Sequence, residues 1–215
     1  MSVFGETVLM GAEMDSVSYH GLESFECTIC DNVVVVLDSN DTSIFDKESV
    51  RKALGLSTDA DKTMAIAALT KCPKPGNDKG SSITFTVPSD NNSIRNITLC
   101  LVPTACSRNN TPSKSHSVGQ LIKSNRGNGD ITIVLLPSND DWITPQAVQA
   151  VKQFPLYCEK KIFRDNLNNN KTNKINLIVN YITGSSELRN MGILCDNTRG
   201  CCKLVDMPPN VSKRQ

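Results

Sequence analysis

Two short runs of β-branched residues constrain this chain more than anything else in it: Val33-Val34-Val35-Val36-Leu37 and Ile131-Thr132-Ile133-Val134-Leu135-Leu136. Neither alternates apolar with polar. A strand with one wet face shows a period of two, so a continuous apolar run of this length reads as a strand buried on both faces. Both faces of such a sheet need covering, and helices are the usual cover when strands and helices alternate along the chain.

The intervening segments supply those helices. Asp46 to Gly55 reads as a short helix, with Asp46 as N-cap and Gly55 as C-terminal stop. Ala60 to Lys71 reads as a second helix. Cys72-Pro73-Lys74-Pro75-Gly76-Asn77-Asp78-Lys79-Gly80 is a loop by composition. Two strands follow, Ser82 to Val87 and Asn96 to Val102, joined by a polar turn. Thr111 to Lys123 reads as a helix with Pro112 in its first turn, and Gly127-Asn128-Gly129 as a turn. Thr144 and Pro145 are placed as N-cap and first residue of the next helix. The asparagine-rich stretch 166–173 reads as an exposed loop, Ile175 to Ile182 as a last strand, and Gly184-Ser185-Ser186 as the start of a last helix. That helix, Glu187 to Val205, runs into Asp206-Met207-Pro208-Pro209-Asn210, where the prolines end it. Ser24 to Cys30 is assigned as a partner strand of the valine run. The expected fold is therefore α/β: a mixed sheet flanked by helices on both faces. Residues 1–183 form the expected N-terminal domain, and 184–215 a linker helix and tail.

Composition narrows the class. The 215 residues are 39% hydrophobic and 21% charged, which suits a globular domain with one core. No apolar run approaches the ~20 residues of a membrane span. The start, Met1-Ser2-Val3-Phe4-Gly5-Glu6, has neither the basic nor the apolar part of a secretory signal, so a cytoplasmic location is expected. Nine cysteines, several inside apolar runs, then read as reduced buried thiols rather than a disulfide framework. Residues 1–150 hold 12 Lys+Arg against 17 Asp+Glu, net −5; residues 151–215 hold 11 against 5, net +6. That polarity can steer domains or subunits against one another. It lacks the concentrated basic face of a nucleic-acid binder.

Cys27-Thr28-Ile29-Cys30 has the spacing of a zinc or redox pair. It lacks a second ligand pair, and its place in an assigned strand makes packing the plainer reading. Cys201 and Cys202 read as packing residues of a helix. Cys106 and His116 could pair as nucleophile and base only with a geometry that sequence does not supply, and a capping histidine is the plainer account. Asp140-Asp141-Trp142 reads as polar residues before a helix. Gly127-Asn128-Gly129-Asp130 precedes a strand, whereas phosphate loops follow one and open a helix. Lys160, Lys161, Arg164, Lys171 and Lys174 read as a solvated basic face. No position is assigned a catalytic, cofactor-binding or metal-binding role.

Three segments resemble the leucyl aminopeptidase (cytosol aminopeptidase) family, in its probable-aminopeptidase-like branch. Cys106-Ser107-Arg108-Asn109-Asn110-Thr111-Pro112-Ser113-Lys114-Ser115-His116-Ser117 is similar to a Ser-Arg-x-Asn-(Ser/Thr)-Pro turn with a histidine in the following helix. Ala150-Val151-Lys152-Gln153-Phe154-Pro155-Leu156-Tyr157 is similar to an Ala-Arg-x-Phe-Pro-Leu helix end. Arg199-Gly200-Cys201-Cys202-Lys203-Leu204-Val205-Asp206-Met207-Pro208-Pro209-Asn210 resembles the hinge before the family's peptidase domain. Met207 stands where that hinge has threonine, and Gly200 weakens a helix interior by ~1 kcal/mol.

The resemblance implies a macro-domain-like N-terminal fold that helps organise a hexamer. Relatives are metal-dependent exopeptidases that hold two divalent metals, zinc or manganese, in a C-terminal domain, where a bridging water is activated and the carbonyl polarised. The family's carboxylate-rich Asn-Thr-Asp-Ala-Glu-Gly-Arg segment does not occur in this sequence, so no catalytic role is carried onto any position. Three expectations follow: a catalytically inert N-terminal domain, fragment or truncated form; a macro-like module for an ADP-ribose-type ligand; and an assembly partner of full-length homologous subunits.

Overall fold

Both valine- and isoleucine-rich runs become central strands. The computed structural model describes residues 15–25, 29–89, 93–106, 111–154, 173–180 and 184–206. In chain order the elements are β1 (Ser16–Gly21), β2 (Asn32–Leu37), α1 (Glu48–Leu54), α2 (Asp59–Lys71), β3 (Ser81–Pro88), β4 (Ile94–Leu101), α3 (Ser115–Asn125), β5 (Ile131–Leu136), α4 (Ile143–Val151), β6 (Lys174–Val179) and α5 (Ser185–Asp206). The strands form one six-stranded sheet in the order β1-β6-β5-β2-β4-β3. Every pair is parallel except β3 with β4, so the sheet is mixed.

The alternation of side chains along β2 divides the core in two. Val33, Val35 and Leu37 point to the face covered by α1 and α2, where they join Phe45, Leu54 and Leu69. Val34 and Val36 point to the other face, with Ile122 of α3, Ala147 of α4, and Met191 and Cys195 of α5. The five side chains from Val33 to Leu37 are essentially inaccessible, as a doubly covered strand requires. At ~1.5–3 kcal/mol for each large aliphatic side chain buried, such strands carry much of the driving force for folding.

Several local expectations need correcting. Ser24 and Phe25 follow β1 in a turn, and Ile29 and Cys30 form no strand; residues 26–28 lie outside the described set. Both edges of β2 are taken by β4 and β5 in full six-residue registers, leaving no place for a third partner. Asp46 does not cap α1. It ends a 3-10 turn, Thr42–Asp46, that Asp41 caps, and its carboxylate meets Lys62 Nζ at 2.6 Å. Gly55 does stop α1, in the left-handed region at φ 67°. Helix α2 starts on a reciprocal cap: Asp61 N–H donates to Thr58 Oγ1 at 3.1 Å, and Thr58 N–H to Asp61 Oδ2 at 2.9 Å. Pro112 lies in a turn ahead of α3, which begins only after Lys114 at φ 49°. Thr144 is the second residue of α4, not its cap, because a 3-10 turn, Asp140–Trp142, leads directly into the helix. Pro145 still falls within the first turn, where a missing N–H leaves no intrahelical bond unmade.

The last helix is fastened at the amino ends of β1 and β6. Arg199 is 3% exposed; its Nε donates to Phe154 O at 2.8 Å and its Nη2 to Asp15 O at 2.9 Å. Asp15 Oδ1 in turn accepts from Asn173 N–H and Nδ2. One turn earlier on α5, Asp196 accepts from Tyr19 Oη at 2.7 Å. Burial, then this hydrogen bond, pushes the Tyr19 phenol far above its ordinary range.

Candidate functional site at the carboxyl edge of the sheet

In an open parallel sheet, a crevice forms where neighbouring strands send their connections to opposite faces. Here that place lies between β2 and β5. The chain leaves β2 toward α1 on one face and leaves β5 toward α4 on the other. Asp38 follows β2 immediately, and Ser138 lies just past the end of β5. Ser138 donates both N–H, at 2.8 Å, and Oγ, at 3.1 Å, to Asp38 Oδ2. This pair of hydrogen bonds joins the ends of the two strands. Asp38 Oδ1 is buried with no hydrogen-bond partner among the described residues.

The loops along this edge are acidic. Besides Asp38 they carry Asp41, Asp140 and Asp141. The Asp41 carboxyl is held below its ordinary range by the Ser43 backbone N–H, then by the Ser43 hydroxyl. Among the described residues, a diphosphate brought here meets carboxylates and no glycine-rich turn. Gly127 and Gly129, both at positive φ, sit at the opposite edge, ahead of β5, as the sequence indicated.

A cleft of about 430 Å³ opens between α4 and α5, with Ile143, Met191 and Leu194 among its walls and Asp140 and Glu187 at its polar side. Glu187 belongs to the first turn of α5, and Asp140 stands just before α4. Both acids therefore complement the positive ends of helix dipoles.

The loop of the first resembling segment is pinned from α4. Gln146, 1% exposed, donates through Nε2 to Ser113 O at 2.9 Å, while its Oε1 has no partner among the described residues. Sequence reading passed over this residue. Its signal was a lone amide in the apolar stripe Ile143, Ala147, Ala150, Val151. His116 is exposed, and its Nε2 lies 2.9 Å from Gln120 Nε2, one turn along α3. Cys106 is exposed too, and no hydrogen bond joins it to His116 among the described residues. Residues 107–110 lie outside the described set, as do 155–157 of the second segment and 207–210 of the third.

The cysteines divide by environment. Of the Cys-x-x-Cys pair only Cys30 is described. Its N–H donates to Thr132 Oγ1 at 3.0 Å, its Sγ accepts from Asn176 Nδ2, and burial raises its pKa. That shift is opposite to what a redox thiol requires. Burial pushes the Cys100 and Cys195 thiols up to about 12, with Asp196 adding to the effect at Cys195. Cys201, expected to pack, is exposed, because it faces away from the stripe of partly buried Leu188 and buried Met191, Cys195 and Arg199; Cys202 is half-buried. In native protein at pH 8, iodoacetamide should label Cys106 and Cys201 within minutes and leave Cys72, Cys100 and Cys195 unmodified. Peptide mass mapping reads the pattern. Early labelling of Cys100 or Cys195 would contradict the packing described here.

Among the described residues no group of three or more His, Cys, Asp or Glu side chains is placed to hold a metal ion. These residues do not fit a two-metal centre. Of the basic set, Lys174 is described and exposed; Lys160, Lys161, Arg164 and Lys171 lie outside the described residues. No helix among the described residues is long and apolar enough to cross a membrane.

Residues 30–163 match the family model of the M17 aminopeptidase N-terminal domain 2. The chain belongs to this family. No curated protein matches it. Among solved structures, this M17 N-terminal domain is similar to leucyl aminopeptidase from Leishmania major in complex with actinonin, with TM-score 0.67 and 15% identity over 91% of this chain and 36% of that one. It is also similar to leucyl aminopeptidase from Trypanosoma brucei in complex with bestatin, with TM-score 0.63 and 15% identity over 92% and 38%. An M17 aminopeptidase from Trypanosoma brucei gives TM-score 0.58 and 17% identity over 85% and 34%. At these identities the likeness establishes the fold. The M17 N-terminal domain described here spans little more than a third of those proteins.

Proposed function

We propose that this M17 N-terminal domain performs no hydrolysis itself and serves the assembly or regulation of metal-dependent aminopeptidase subunits in the cytoplasm. Residues 1–183 form the domain, and 184–215 lead toward a peptidase domain that carries the two divalent metals. The observation that supports this reading is the match of residues 30–163 to the family's N-terminal module, in a sequence that lacks the family's carboxylate-rich metal segment. The purified chain should show no turnover of aminoacyl-amide substrates, with manganese or zinc, above a contaminant control. Metal-dependent turnover would overturn inertness, and failure to co-purify with an intact homologue would count against assembly.

The crevice between β2 and β5 favours a second reading, a macro-like module for an ADP-ribose-type ligand. The Asp38–Ser138 bridge and the acidic loops oppose it electrostatically. Calorimetry with ADP-ribose separates the two, since micromolar binding would establish the second.

A further inference from the structure

Strand β3 is an outer strand of the sheet, and among the described residues its one hydrogen-bonded neighbour is β4. Edge strands in monomeric proteins are usually blunted by charge, bulges or short length, because their free N–H and C=O groups recruit other strands. β3 has little of this protection. It is eight residues long, Ser81-Ser82-Ile83-Thr84-Phe85-Thr86-Val87-Pro88, and carries no charged side chain. It pairs with β4 across its whole length without a bulge, leaving Pro88 at one end as its only blunting feature. Ile83 and Phe85 are only partly buried against the α1/α2 side of the core. Thr84 and Thr86, on the opposite face, are exposed.

We propose that β3 is a homotypic docking edge, on which a second copy of this chain pairs antiparallel across a two-fold axis. The inference deepens the assembly reading and rests on it. A two-fold axis perpendicular to the sheet keeps each side chain on its own face, so paired residues must share parity. The register centred on Thr84 sets Thr84 against the partner's Thr84 and Ser82 against the partner's Thr86. On the other face it sets Ile83 against the partner's Phe85, twice by symmetry. An apolar-aromatic pair on one face and hydroxyl pairs on the other are favourable cross-strand combinations. A strand bearing one sign of charge could not pair with itself in this way; this strand has none. The isologous contact closes on itself and gives a dimer rather than a fibre.

Sedimentation over a wide concentration range tests the proposal, with the wild-type chain beside Thr84→Lys and Thr86→Lys. Thr84→Lys places like charges opposite each other on the axis, and Thr86→Lys removes a hydroxyl pair without touching the Thr84–Thr98 hydrogen bond. Each should raise the dimer dissociation constant about tenfold or more. For Thr86→Lys the circular dichroism and melting of the monomer should stay unchanged, whereas Thr84→Lys also gives up the hydrogen bond to buried Thr98 and should melt somewhat lower. A Thr84→Cys chain, mildly oxidised and digested, should yield a peptide pair linked at residue 84. A wild-type chain that stays monomeric throughout overturns both this inference and homotypic assembly. A wild-type oligomer untouched by either lysine, with no residue-84 cross-link, overturns the β3 edge alone and leaves the assembly reading standing.

Discussion

Arg199→Ala should lower the unfolding free energy by about 3–5 kcal/mol, since two hydrogen bonds from a buried charged group to backbone carbonyls are lost at about 1.5–3 kcal/mol each. The guanidinium joins the chain end of α4, the start of β1 and, at 3.9 Å, Asp196 on its own helix. Its removal leaves the Phe154 and Asp15 carbonyls without these donors. For a domain of this size the loss corresponds to a fall in Tm of roughly 10 °C. Arg199→Lys keeps the charge and loses the planar fork, so it should fall between wild type and alanine. Urea denaturation gives the free energies, and limited proteolysis reports whether α5 loosens first. An alanine variant within 1 kcal/mol of wild type would show that the fastening of α5 lies elsewhere.

A second large effect is expected at the end of α1. Gly55 sits at φ 67°, and a Cβ there would lie 1.9 Å from Arg95 Nη1 and 2.8 Å from Arg95 Cζ. Arg95 is 6% exposed and donates to Gly55 O at 3.2 Å and to Ser89 Oγ at 3.1 Å, so its guanidinium has little room to retreat. Gly55→Ala should therefore combine a left-handed backbone penalty of about 1–2 kcal/mol with the loss of a charged hydrogen bond, about 1.5–3 kcal/mol. Together these come to about 3 kcal/mol or more. Arg95→Met removes the clash, so Gly55→Ala should cost less in that background than alone. A double-mutant cycle measures the difference, and a coupling energy of zero would sink the steric account.

The two positions differ in how far sequence could reach them. Gly55 was legible as a helix stop, because a glycine after an amphipathic turn carries a local signal. That Arg95, forty residues later, closes over it was not legible, since no periodicity marks the meeting of β4 with the end of α1. Arg199 sat inside a segment recognisable by resemblance, yet its burial comes from β1 and α4, which approach only in three dimensions. The caps misjudged at Asp46 and Thr144 share one cause: a 3-10 turn precedes each helix, and its short period imitates the first helical turn. Strand β1 went unread because Ser16-Val17-Ser18-Tyr19-His20 alternates over too few residues to stand out from a loop. Of the carboxyl edge, the acidic loops were visible as composition. The Asp38–Ser138 bridge and the role of Gln146 were not, because each joins residues that share no local pattern.

The sequence by itself determined five of the six strands, that the two central ones are covered on both faces, and which family the chain resembles, since apolar runs, turn residues and motif spacing are local properties. The tertiary structure decided the strand order, placing β1 beside β6 from the far end of the chain and leaving β3 at an edge. It also decided that a carboxylate joins the ends of β2 and β5. Hydrogen-bonded pairing between strands has the same chemistry for every partner, so the choice among partners falls to the packing of helices on the two faces, which no single segment encodes.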